Sequence, residues 1–292
     1  MGETAMTEFQ DRLIKTNSVT LHALTAGPED GPLVLMLHGF PEFSYGWHNQ
    51  IPVLAEAGYF VVAPDQRGYN LSDKPEGVHS YKIDNMVADA AGVIKALGRE
   101  RAFVVAHDWG ANVAWWLALT QPKMVEKLVI MNVPHPKVFL RTIRSNIRQL
   151  FKSWYIFAIQ IPKLPEASLL RNKAAGMERS FLGSAKKTTF SAEDIEKYRE
   201  AWLRPGAMTA MLNWYRAALR HQPQDPASWR VTMPTLMLWG KQDIALDASM
   251  AQPSIELCDD GRLVIYDDAT HWVQHDAADR VNAGLLAFLG ER

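Results

Sequence analysis

The chain has 292 residues, 48% of them hydrophobic, with ten Trp, eight Tyr and eleven Phe, enough to bury a large core and still line a pocket. A formal charge of −1 and a pI near 6.8 give no overall field for nucleic acid or anionic lipid. Cys258 is the single cysteine, which excludes an internal disulfide and a cysteine-based metal site.

Met1 to Lys15 lacks the apolar run of a signal peptide, and Met6 stands where a myristoylation motif needs Ser or Thr. The longest apolar runs are strand-sized. A cytoplasmic protein is expected, with no membrane insertion and no nucleic-acid partner.

Strands alternate with helices in the first half. Leu33 to Leu37 is a continuous apolar run closed by His38-Gly39, and Tyr59 to Ala63 is another, closed by Pro64-Asp65. Ala102 to Ala106 and Leu128 to Met131 repeat the pattern. Short runs apolar on both faces, closed by Gly, Pro or polar residues, predict buried parallel strands. Between them, Ile83 to Leu97 has helical periodicity and stops at Gly98, and Ala111 to Leu119 predicts a second helix. After Pro134-His135-Pro136 the rhythm changes. From about Lys137 to Asp225 the chain is basic, rich in Trp and Tyr and helical in rhythm, with Ser191 as a helix cap. Strand rhythm returns at Thr235 to Trp239 and Leu263 to Tyr266, and a last helix is expected over Asp276 to Leu289. The simplest account is an α/β core of residues 1–136 and 226–292, interrupted by a helical insertion over 137–225.

Ala106-His107-Asp108-Trp109-Gly110 falls where a buried strand turns into a helix, the setting of a nucleophile elbow. The strained turn needs small residues two before and two after its centre, and Ala106 and Gly110 comply. The centre is Asp108, beside a helix N-terminus that favours negative charge. A carboxylate attacking an acyl carbon gives an anhydride, a poor route to ester hydrolysis. Attack on a saturated carbon bearing a leaving group gives a stable alkyl ester, so epoxides and alkyl halides are the natural electrophiles.

Elbows of this kind carry their partners in the order nucleophile, acid, histidine. His271, after the last apolar run, is the expected base, with His275 its nearest competitor. Asp243, just past the run at 235–239, is the expected acid, with Asp247 as competitor. Asn132 occupies the alternative acid position after the run at 128–131. Backbone N–H groups of Phe40 and Trp109 are the candidate oxyanion hole, and Phe40-Pro41 is a candidate cis bond.

HGFP at 38–41, PDQRGYNLSDKP at 64–75, HDWG at 107–110, WGKQD at 239–243 and THW at 270–272 together resemble the epoxide hydrolase branch of the α/β-hydrolases, in the family's order over nearly the whole chain. The resemblance implies a mostly parallel central sheet flanked by helices, with a helical cap (lid) inserted after the sixth strand. Ser153-Trp154-Tyr155 and Leu212-Asn213-Trp214-Tyr215-Arg216 are similar to the two cap segments that each give a Tyr hydroxyl to the epoxide oxygen in this family. An epoxide's leaving oxygen stays attached as an alkoxide and needs a proton donor, which a halide does not. Tyr155 and Tyr215 therefore decide for an epoxide hydrolase, with a hydrophobic epoxide and water as its small-molecule partners. The rival enzyme is a haloalkane dehalogenase, in which the Trp109 indole would hold the halide. Fluoroacetate dehalogenases carry Arg where this chain has Trp109. A non-catalytic ligand receptor is a third reading, and it has no need of an intact Asp108, Asp243 and His271. No H-E-x-x-H, P-loop or strand-borne G-x-G-x-x-G is present, so no metal or cofactor is expected. Sequence leaves monomer and homodimer equally open.

Overall fold

A computed structural model describes residues 9–16, 18–145 and 154–291. The strands are β1 (Gln10–Lys15), β2 (Thr20–Ala26), β3 (Leu33–Leu37), β4 (Phe60–Pro64), β5 (Ala102–His107), β6 (Val125–Met131), β7 (Thr235–Gly240) and β8 (Gly261–Tyr266). They form one eight-stranded sheet in the order β1-β2-β4-β3-β5-β6-β7-β8. The β1–β2 and β2–β4 pairs are antiparallel and the rest are parallel.

The apolar runs are continuous because both faces of the central strands are covered. In β3, Leu33, Leu35 and Leu37 enter one core cluster while Val34 and Met36 enter the other. The same two-residue alternation splits Val104 from Val105 in β5 and Ile130 from Met131 in β6. The strands β1 and β2 have no such run and escape a reading based on apolar stretches. The outermost of them, β1, is antiparallel and largely exposed along its length.

In chain order the helices of the core are α1 (Ile51–Glu56), α2 (Ile83–Ala96) and α3 (Asp108–Thr120). Between β6 and β7 come α4 (Pro136–Ser145), α5 (Trp154–Ala158), α6 (Leu164–Leu182), α7 (Ala192–Trp202) and α8 (Ala207–Arg220), and among the described residues no named strand interrupts them. The core resumes with α9 (Ala251–Ile255), α10 (Val273–Asp276) and α11 (Ala278–Gly290). Residues of α2 and α3 build the cluster on one face of the sheet, while Ile51 and Leu54 of α1 and Leu285 and Phe288 of α11 build the other.

Ser191 caps α7 as the sequence predicts. Its side chain accepts from the Asp194 amide and Asp194 reciprocates, a capping box. The α6 helix is broken at Arg171–Ala174, where Asn172, Lys173 and Ala174 adopt left-handed backbone.

The PDQRG stretch after β4 is a structural tie. Buried Asp65 accepts from the Ser44 amide and faces Nδ1 of His22 at 2.8 Å. Arg67 forms a buried, two-pronged pair with Asp89 of α2, at 2.6 and 2.7 Å. The indole of Trp214, in α8, donates to the Arg67 carbonyl, which fastens the helical segment to the core.

Candidate active site

The site is assembled at the carboxyl ends of β3, β5, β6 and β7 and from the loop after β8. Strand β5 ends on His107, and Asp108 opens α3 with φ of +48°, a conformation that β-carbon sterics make costly. The turn closes only because its neighbours are small. A β-carbon on Gly110 would lie 2.1 Å from the Leu37 carbonyl oxygen, and one on Gly39 would lie 2.2 Å from Cβ of Asp108. Ala106 is fully buried. The sequence points to Ala106 and Gly110. Gly39 is equally constrained, but only the close approach of two loops distant in sequence shows it.

Asp108 Oδ1 accepts from the Phe40 backbone amide at 2.7 Å, and Oδ2 faces His271 Nε2 at 3.4 Å. The Phe40–Pro41 bond is cis. Nδ1 of His271 lies 2.7 Å from Asp243 Oδ2. Asp243 is further held by the amides of Ala245 and Leu246 at 2.7 and 2.9 Å and by the Asn132 side chain at 2.8 Å. Asn132 itself accepts from the Gly240 amide. The residue at the vacant acid position thus supports the acid used instead, a role its sequence position did not suggest.

Both competitors are accounted for elsewhere. His275 points to Glu42 at 2.8 Å, and Asp247 caps the Ala248–Met250 turn through the Ser249 amide. Glu42, directly after HGFP, was missed by sequence reasoning. It is buried and accepts from the Tyr198 hydroxyl at 2.7 Å and the Gln274 amide at 3.0 Å, with His107 Nδ1 at 3.5 Å. His107 Nε2 in turn lies 2.8 Å from the His271 carbonyl oxygen, so this network sits beneath the Asp108–His271 pair.

The charges follow from these contacts. Burial pushes the Asp108 carboxyl up, but the hydrogen bond and charge of His271 outweigh it and hold the group below the usual carboxylate range. Asp243 is lowered in the same way, against its burial, by His271. Burial lowers the His271 imidazolium, yet the charge of Asp243 and the hydrogen bond with Asp108 raise it to about 10.

The helical segment brings Tyr155 and Tyr215 over this group. Their rings lie 5.9 Å apart edge to face, and Tyr215 packs edge-on against Phe40 at 5.2 Å and Trp109 at 5.0 Å. Burial raises the Tyr155 phenol, and the Asp108 charge raises it further. Burial likewise raises Tyr215 well above its ordinary value, helped by the Asp108 charge. Both therefore stay protonated at neutral pH.

Arg216 fixes the two tyrosines relative to each other, and sequence reasoning passed over it. Its buried guanidinium pairs with Glu166 at 2.7 Å and donates to the carbonyls of Ile159 and Ile161, both at 3.0 Å. The tail of the helix bearing Tyr155 is thereby fastened to the helix bearing Tyr215. Ser153, quoted with Tyr155 in the sequence motif, lies outside the described residues.

A carboxylate at the elbow, a histidine between two carboxylates and two protonated phenols make up the constellation of a hydrolase-fold site. The family model described as "alpha/beta hydrolase fold" matches residues 32–278, and the chain belongs to that family, within its epoxide hydrolase branch. It is 46% identical over 278 residues to the AB hydrolase superfamily protein YfhM of Bacillus subtilis (strain 168), covering 95% of this chain and 97% of that one. It is 39% identical over 288 residues to Epoxide hydrolase 1 of Caenorhabditis elegans, covering 97% of this chain and 71% of that one. The crystal structure of an epoxide hydrolase from Bacillus megaterium with an inhibitor superposes with a TM-score of 0.88 at 33% identity, covering 96% of this chain and all 100% of the other.

Proposed function

We propose that the protein converts a hydrophobic epoxide and water to a vicinal diol through an alkyl ester on Asp108, with residues 137–225 acting as a cap over a core of 1–136 and 226–292. The observation that carries this reading is the convergence of two protonated phenols, Tyr155 and Tyr215, on the pocket of a carboxylate nucleophile. Oδ1 of Asp108 is held by the Phe40 amide, so Oδ2 is the attacking atom. It forms a bond to an epoxide carbon as the carbon–oxygen bond breaks. Tyr215 and Tyr155, both protonated, each donate a hydrogen bond to the departing oxygen.

The proton balance closes within the site. The alkoxide takes up a proton, balanced by the one His271 holds between its two carboxylates. Esterification removes the Asp108 charge and lowers the affinity of His271 for that proton. Neutral His271, oriented by Asp243, then takes a proton from water as it attacks the ester carbonyl. The carbonyl oxygen is Oδ1, beside the Phe40 amide, with the Trp109 amide as the second donor. Collapse releases the diol and restores the Asp108 carboxylate and the imidazolium. No metal or cofactor enters, and the reaction is assigned to the cytoplasm.

A panel of epoxides and haloalkanes, scored for diol and halide, tests the reading. Diol from epoxides without halide release is expected. Halide release with no diol would make the protein a dehalogenase.

A further inference from the structure

We propose that the outer face of residues 154–173 is a docking surface for anionic lipid headgroups. The near-neutral charge of the whole chain hides a strong local asymmetry. Between residues 137 and 173 the sequence holds eight Lys and Arg and one acidic residue, Glu166, so the remainder of the chain is net acidic. Glu166 does not offset this at the surface, because it is turned inward to Arg216. Lys163, Arg171 and Lys173 are all exposed.

Large apolar side chains flank Lys163 in the same stretch and precede Arg171 and Lys173. Trp154, Phe157, Ile161 and Leu164 are 66, 57, 49 and 63% exposed, in a stretch where burial would ordinarily be expected for such residues. Trp154 and Phe157 are three apart on one short helix and so share a face. Tyr155, between them, packs inward against Tyr215. The exposed face therefore backs directly onto the site.

Exposed Trp and Phe among Lys and Arg are the combination that settles at the headgroup boundary of an anionic bilayer. The rings enter the interface and the cations meet phosphate. A second copy of this chain fits less well, because a symmetric contact would bring two strongly basic stretches together. No helix among the described residues is long and apolar enough to cross a membrane, so the docking is peripheral.

Flotation of the full-length protein with phosphatidylcholine vesicles, with and without about one-third phosphatidylglycerol, tests the proposal without reference to the reaction catalysed. Binding is expected only to the anionic vesicles, and it should weaken as salt rises from about 50 to about 500 mM. The exposed-site variants Trp154→Gln/Phe157→Gln and Lys163→Glu/Arg171→Glu should each lower the partition at least about tenfold, with thermal unfolding unchanged. Absence of flotation at low salt, equal binding to neutral vesicles, or wild-type binding by both variants would overturn it. So would a wild-type dimer in sedimentation velocity that Trp154→Gln/Phe157→Gln dissolves, since that would assign the face to self-association.

Discussion

The two halves of the site are held in different ways. On the sheet side, Asp108 and Asp243 are fixed largely by backbone amides, from Phe40, Ala245 and Leu246, on loops that leave buried strands. On the helical side, Tyr155 and Tyr215 depend on a side chain, Arg216, reaching two carbonyls and one buried carboxylate. On the reading proposed above, bond formation falls to the side anchored by the backbone. The leaving group, on the same reading, is handled by a part joined to its neighbours through side chains, Arg216 and Trp214 among them. Substrate class can then change on the helical side, on that reading, while Asp108 and His271 stay in place.

The largest effect should come from the sheet side. Asp108→Ala removes the nucleophile at a turn that accepts small residues, and diol formation should fall by at least about 10⁴-fold with the fold intact. Measurable turnover above a few per cent, read by product analysis and backed by circular dichroism, would place the nucleophile elsewhere.

Breaking the helical tie should be costly in another currency. Arg216→Met leaves Glu166 facing the interior without its partner and should destabilise the fold by about 3 kcal/mol. Stopped-flow traces should show slower alkylation with ester hydrolysis unchanged. Equal slowing of both steps would mean that Arg216 supports the whole site and not the tyrosines alone.

Removing one phenol is milder. Tyr155→Phe or Tyr215→Phe should each cost about 1–3 kcal/mol in alkylation, roughly 5- to 150-fold, and the double variant should nearly stop it. A double variant with wild-type rates would remove the reason for preferring epoxides to halides.

The smallest effect is a titration. The His271 proton is retained up to about pH 10 because two carboxylates outweigh burial. A raised folded-state value contributes stability that is fully present below about pH 6.5 and is lost as pH rises through about 10. Asp108→Ala removes one of the two charges, as esterification does, so His271 should titrate lower by about a unit or more in an imidazole NMR series. An unmoved titration would detach Asp108 from the control of the base.

How much of this was readable in the sequence follows from what creates each feature. The central strands were legible because coverage on both faces makes them continuously apolar; β1 was not, since its exposed antiparallel edge carries no such run. Asp108, Asp243 and His271 were placed by chain order at strand ends, and the structure brings all three together. Tyr155 and Tyr215 came from resemblance, since a cap rich in aromatics gives no spacing signal of its own. Asn132, Glu42 and Arg216 were overlooked as supports because their partners, Asp243, His275 and Glu166, lie far along the chain. Nothing in local pattern joins them.

The covalent step is the central claim, and it has a direct measurement. His271→Gln keeps a hydrogen-bonding side chain beside Asp243 but cannot take a proton from water, so the ester should form and persist. Intact-protein mass spectrometry after incubation with a good epoxide should show the mass of one whole epoxide added, mapped to the peptide containing Asp108. No adduct in a His271→Gln protein that demonstrably binds the epoxide would contradict the account, because water would then be attacking the ring directly with Asp108 as its base.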